Sequence, residues 1–118
     1  MTTNTIEWKN IAIEGFEHYE VSNTGLVMTH NWKNSKQTKI MSPRNWNGYL
    51  GVYLTSDIGQ ARLIAVHKLV SETFIGPCPA GMECDHINSI RSDNRVENLQ
   101  YLTHKENCQK KLPKNTTK

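Results

Sequence analysis

The chain has 118 residues, 36% of them hydrophobic, a length that suits one compact domain or two small modules sharing a core. Its three cysteines are an odd number without a C-x-x-C pair, which excludes a disulfide framework and fits a reducing interior. The net charge of +3 hints at an anionic partner only weakly, but its distribution says more. Residues 1–20 carry four glutamates against Lys9, whereas Val21 to Ser56 has no acidic residue and four cations, Lys33, Lys36, Lys39 and Arg44. The last fifteen residues hold five lysines and one carboxylate, Glu106. Basic stretches without balancing carboxylates suit a phosphate backbone.

In chain order, Trp8 to Ile13 and Tyr19 to Val21 carry β-favouring side chains, and Ser22-Asn23-Thr24-Gly25 is a turn signal before a short strand over Leu26 to Thr29. Residues 30–48 are polar, basic and asparagine-rich, punctuated by Pro43 and Gly48, and read as a loop or ribbon, not a helix. A hairpin follows: Tyr49 to Leu54 and Ala61 to Val66 are the strands, with Ser56-Asp57-Ile58-Gly59 as the turn. Val66, Leu69, Val70 and Phe74 then fall on one face of a short helix that Gly76-Pro77 and Pro79 end. Beyond Gly81 the order is strand (Met82 to His86), polar loop, strand (Leu99 to Leu102) and a helix opened by the capping-box spacing Thr103-His104-Lys105-Glu106. No charged-then-apolar leader follows Met1 and no apolar run approaches a membrane span, so the chain is expected to be soluble and intracellular with no membrane partner.

The chemistry-bearing segment runs from Asp85-His86 through Asn94 and Asn98 to Asn107. Cleaving a phosphodiester requires a base for water, an oxygen-ligated hard cation, and a group that fixes the base's tautomer. His86 ends a strand facing the next helix; Asp85 and Asn107 offer oxygen donors of the kind Mg²⁺ prefers; Asn98 has an amide oxygen for one imidazole nitrogen.

Asp85-His86, Asn94, Asn98-Leu99-Gln100-Tyr101 and Asn107, in that order, resemble the HNH nuclease motif, particularly its His-Asn-Asn version in phage and intron-encoded homing endonucleases. Upstream, Val66-His67-Lys68-Leu69-Val70 ending in Phe74 is similar to the helix before that core. Glu7-Trp8-Lys9, Tyr19 to Gly25 and Gly48-Tyr49-Leu50 resemble an N-terminal DNA-contacting module of phage homing nucleases. The matches cover about residues 6–110. The resemblance implies an α+β fold: a small β-sheet module over 1–60, a ββα-metal nuclease core over 61–112 and a disordered tail at 113–118. It implies a DNA endonuclease, nicking as one chain, with His86 as general base, Asn98 orienting it, and Asp85 and Asn107 holding one Mg²⁺ or Mn²⁺. Lys33, Lys36, Lys39, Arg44, Arg91 and Arg95 are the expected contacts to double-stranded DNA, for a monomer or weak dimer in the cytoplasm of a bacterial host if phage-encoded.

Two features depart from the family pattern. The loop after the histidine reads Asn88-Ser89-Ile90-Arg91 where the family carries an Asp-Gly-Asn-Lys-type turn. The chain also stops soon after Asn107, where larger relatives continue into a helical DNA-binding segment, so shorter or weaker site recognition, or reliance on a partner, is expected. Alternatives are a non-catalytic DNA-binding module on the same fold, a relaxed-specificity or RNA nuclease, and an accessory that works only with a partner. His67 is expected to serve packing or DNA contact, and Cys78, Cys84 and Cys108 to be buried apolar side chains, with no structural zinc.

Overall fold

The computed structural model describes residues 5–11, 13–32 and 37–110; the expected tail lies outside them. Trp8–Asn10 (β1), Tyr19–Ser22 (β2), Val27–Trp32 (β3) and Gln37–Ile40 (β4) pair antiparallel in chain order. Alternation along β2 turns Tyr19 and Val21 into the core and Glu20 outward, where its carboxylate meets His30 Nε2 on β3 at 2.6 Å. β1 stops at Asn10, short of the expected Ile13, as the chain turns inward to bury Ile11 and Phe16.

The described parts of residues 30–48 are strand and turn, the ribbon of the loop-or-ribbon reading: β3 continues to Trp32, and Arg44–Trp46 (β5) pairs with Tyr49–Thr55 (β6). Asn47 and Gly48 join β5 to β6 with φ of 55° and 86°, the mirror-image tight turn whose twist matches the strands it links. Ala61–Ala65 (β7) completes this three-stranded sheet. The helix expected over Val66 to Phe74 comes in two parts: Val66–Val70 (α1), then a wide π turn over Ser71–Ile75, which the Gly76 N–H closes onto the Ser71 carbonyl. Met82–His86 (β8) and Leu99–Thr103 (β9) form a two-stranded ribbon, and His104–Lys110 (α2) packs on both. The capping box is present: the Glu106 N–H donates to Thr103 Oγ1 (3.1 Å) and the Thr103 N–H to Glu106 Oε1 (3.0 Å).

One hydrophobic core serves all three sheets. Phe16 of the β1–β2 loop, Val21 and Val27 from the first, Val52, Leu54 and Ile64 from the second, Leu69 and Val70 of α1, and Leu99 of β9 are buried together. Residues on either side of position 60 therefore share that core. Tyr19 adds a directional tie, its hydroxyl accepting the Thr55 N–H at 2.8 Å across the sheets.

The Ser22–Gly25 turn does more than reverse the chain. Ser22 is fully buried, and its Oγ accepts the N–H groups of Thr24 (3.2 Å) and Leu26 (2.9 Å). The Asn23 carbonyl accepts the Val96 N–H (2.9 Å), so the turn seats the loop before β9. Gly25, at φ 98°, lies so near that loop that a Cβ there would stand 3.1 Å from Asn94 Cβ. Gly25→Ala is expected to cost about 1–3 kcal/mol, from the left-handed backbone and the displacement of Asn94. Urea unfolding measures this, and a loss below about 0.5 kcal/mol would show that the contact is slack.

Candidate functional site

β8 and β9 pair in the register Asp85↔Gln100 and His86↔Leu99, and α2 lies across them. This brings Asp85, His86 and Asn107 to the wall of one cleft of about 220 Å³, with Tyr49, Cys84, Ser89, Arg91 and Lys110. The three side chains are buried, as are Asn94 and Asn98. Buried polar groups must be paired, and the pairing defines what each can do.

His86 Nε2 is 2.7 Å from Asn94 Oδ1. An amide oxygen only accepts, so the ring carries its proton on Nε2 and Nδ1 keeps its lone pair. This bond corrects the expectation for Asn98, whose side chain is spent inside the loop. Its Oδ1 accepts the Asn88 N–H (3.1 Å), and its Nδ2 donates to Asn88 Oδ1 (2.9 Å) and the Asp93 carbonyl (2.8 Å). Asn98 is committed because it sits at the base of the loop, where its own carbonyl already accepts the Ile87 N–H (2.8 Å). Asn94, four residues earlier, is carried back over the ring. Within this loop Ser89 adopts φ 64°, at the position where the family turn has glycine, a strain of about 1–2 kcal/mol for an L residue.

Asp85 Oδ2 accepts from Gln100 Nε2 (3.0 Å) and from Lys110 Nζ (2.7 Å). Asn107 donates Nδ2 to Glu83 Oε1 at 2.5 Å, while its Oδ1 is buried without a partner among the described residues. A wall of rings stands behind the histidine. His67 meets His86 edge-on at 5.2 Å, Tyr49 lies 5.2 Å from His67, and the Arg91 guanidinium covers Tyr49 at 4.8 Å. Burial first, then the charges of His86 and Lys68, pull the His67 imidazole down to about 4.

Residues 65–109 match the family model described as HNH endonuclease, and residues 7–55 match the NUMOD4 motif. A solved structure of the HNH homing endonuclease I-HmuI, described by its DNA binding and cleavage, superposes with a TM-score of 0.75 at 32% identity over 88% of this chain and 56% of that one. Over residues 65–109 this chain is therefore similar to the HNH endonuclease family. Among relatives, the DNA endonuclease I-HmuI of Bacillus phage SP01 is 31% identical over 94% of the chain and 60% of its own length. An uncharacterized HNH endonuclease, L247, of Acanthamoeba polyphaga mimivirus is 42% identical over 92% of the chain and 26% of its own length. The chain thus spans between about a quarter and three-fifths of these relatives. The α+β architecture read from sequence is the observed one.

HNH endonucleases generally depend on a divalent metal. The donors here fit a hard cation: the Asp85 carboxylate and the orphaned Asn107 Oδ1 line the same cleft. Among the described residues no three His, Cys, Asp or Glu side chains are grouped so as to hold a metal ion.

The expected DNA contacts fall into different situations. Arg91 lines the cleft, its Nη1 donating to the Asn47 carbonyl (3.1 Å). Arg44 lies over the Tyr53 ring at 5.2 Å, and Lys39 is on the exposed strand β4. Lys33 and Lys36 lie outside the described residues. Arg95 is engaged instead, forked on Asp93 with two contacts of 2.7 Å and reaching Glu97 at 3.2 Å, and the pair holds the Asp93 carboxyl well below the usual carboxylate range. The cysteines are less buried than expected: Cys108 is exposed, and Cys78 and Cys84 are half-buried, with burial pushing the Cys84 thiol up to about 11.

His67 gives a pH prediction. Folding keeps its ring neutral down to about pH 4, whereas in the unfolded chain it protonates near 6.5. The unfolded state therefore binds more protons between those values, and the stability present above pH 6.5 declines as pH falls toward 4. His67→Phe is expected to lose roughly 1 kcal/mol less than wild type between pH 7 and 4.5, after discounting for solvent screening. Equal losses in urea unfolding would assign the acid sensitivity elsewhere.

Proposed function

We propose that this chain hydrolyses a phosphodiester of double-stranded DNA, one strand per active site, with His86 as general base. The observation that carries this reading is the convergence of Asp85, His86 and the unpartnered Asn107 Oδ1 on one cleft. His86 Nδ1 takes a proton from water as the water oxygen bonds to phosphorus and the bond to the 3′ oxygen breaks. Asn94 holds the ring by Nε2 and stabilises the imidazolium that forms; as an amide it takes no proton itself. Asn98 acts one step away, by shaping the loop that presents Asn94. Asp85 and Asn107 would hold one Mg²⁺ or Mn²⁺, which would supply positive charge to stabilise the phosphate and the leaving oxygen.

The β-rich residues 1–60 add the cations Lys39 and Arg44, and residues 61–112 carry the chemistry. Arg91, at the cleft, is the phosphate contact nearest the scissile bond, while Arg44 and Lys39 track the backbone further out. Arg95, saturated by Asp93 and Glu97, serves the loop rather than DNA.

Supercoiled plasmid incubated with Mg²⁺ or Mn²⁺ tests the reaction. Wild type is expected to give open circles, and His86→Ala to slow nicking at least about 100-fold. A folded, DNA-binding wild type that leaves plasmid intact, or a variant as fast as wild type, would overturn the assignment. For binding, Arg91→Ala is expected to lower the slope of log K against log salt by about 1, and Arg95→Ala to leave it unchanged. The reverse pattern would exchange their roles.

A further inference from the structure

Lys110 has no part in the reaction as described, yet it reaches further into the cleft than any other cation on α2. It stands three residues beyond Asn107, on the same helix face. Its Nζ is 2.7 Å from Asp85 Oδ2 and 2.6 Å from the His86 carbonyl. The Lys110 side chain is only 26% exposed and that of Asp85 only 8%, so this is not a solvent-screened surface pair. A carboxylate this buried needs a compensating charge, and Lys110 supplies it.

A divalent ion on Asp85 and Asn107 would share the same carboxylate with this ammonium. Two cations at hydrogen-bonding range of one carboxylate repel each other, and repulsion in a partly dry cleft is stronger than in water. Lysine is a point charge on a long flexible stem, able to turn from a carboxylate to a phosphate oxygen without disturbing the backbone. We infer that Lys110 is a placeholder cation: it neutralises Asp85 while the metal is absent, and weakens metal binding until DNA phosphate draws the ammonium away.

This inference rests on the metal site proposed above. Its consequence is that metal and DNA bind co-operatively, each relieving a charge that opposes the other. The reading belongs to Lys110 itself, since Gln100 already holds Asp85 Oδ2 from the neighbouring strand and would keep the carboxylate in place without the lysine.

The test is Mn²⁺ binding to the DNA-free protein by calorimetry, with the paramagnetic resonance signal of free Mn²⁺ as a second readout. Wild type, Lys110→Met, Lys110→Arg and Asp85→Asn are compared, each first shown by thermal melting in chelator to be folded. Lys110→Met is expected to bind Mn²⁺ about tenfold tighter than wild type, Lys110→Arg about as weakly as wild type, and Asp85→Asn far more weakly than either. If Lys110→Met binds no tighter while Asp85→Asn still abolishes binding, the metal site stands and the placeholder role is overturned. If Asp85→Asn binds as wild type does, the metal assignment itself falls and the role of Lys110 falls with it.

Discussion

His86 Nε2 and Asn94 Oδ1, 2.7 Å apart, form the contact on which the reactive geometry depends, because an imidazole can act as a base only at the nitrogen its partner leaves free. The contact is only as firm as the loop carrying Asn94. That loop is closed from below by Asn98, which ties Asn88 to Asp93, and from the side by Arg95 on Asp93. It is held from outside by the Asn23 carbonyl on the Val96 N–H, and crowded by Gly25. A turn in the first sheet and a loop before the last strand thus fix one ring nitrogen between them. The short π turn and the two-stranded ribbon would be poor anchors alone; the shared core under them supplies the rigidity.

Charge in the cleft follows the same economy. Asp85 is nearly buried, and its Oδ2 is filled by Gln100 and Lys110, while Asn107 is pinned through Nδ2 so that Oδ1 is left over. An unpaired buried carbonyl is costly, by about 1–3 kcal/mol, and persists where a ligand will satisfy it. His67 shows the complementary constraint. Burial first, then the His86 ring 5.2 Å away, keeps the His67 imidazole neutral.

Much of this was legible in the residues. Met82 to His86 and the strand from Leu99 stand where β propensity put them, and the Thr103–Glu106 capping box places α2 and hence Asn107. The Asn47-Gly48 hairpin was equally legible, since Asn-Gly between aromatic residues is a strong two-residue turn signal, yet the polarity of 30–48 obscured it. Which asparagine faces the histidine was not legible. Asn94 and Asn98 lie in one loop, and only its internal hydrogen bonds decide which amide is consumed holding it together. The fate of Arg95 was hidden for a similar reason: Asp93 and Glu97 flank it in sequence, but that they close on it depends on the loop's curl.

The dependence of Asn94 on the first sheet bears on how the chain is divided. A nuclease segment that began near residue 61 would lose β6, the strand that pairs with β7 over its full length. It would lose Tyr49, which walls His67 and underlies Arg91, and the Asn23 and Gly25 contacts that seat the loop. Asp85, His86, Asn94, Asn98 and Asn107 would all remain in such a segment, so every motif residue would be present while the contacts that seat the Asn94 loop from outside were gone. A motif match therefore understates what the chemistry requires here. The ββα ribbon brings Asp85, His86 and Asn107 to one cleft, and the N-terminal turn steadies the loop whose Asn94 holds the His86 ring.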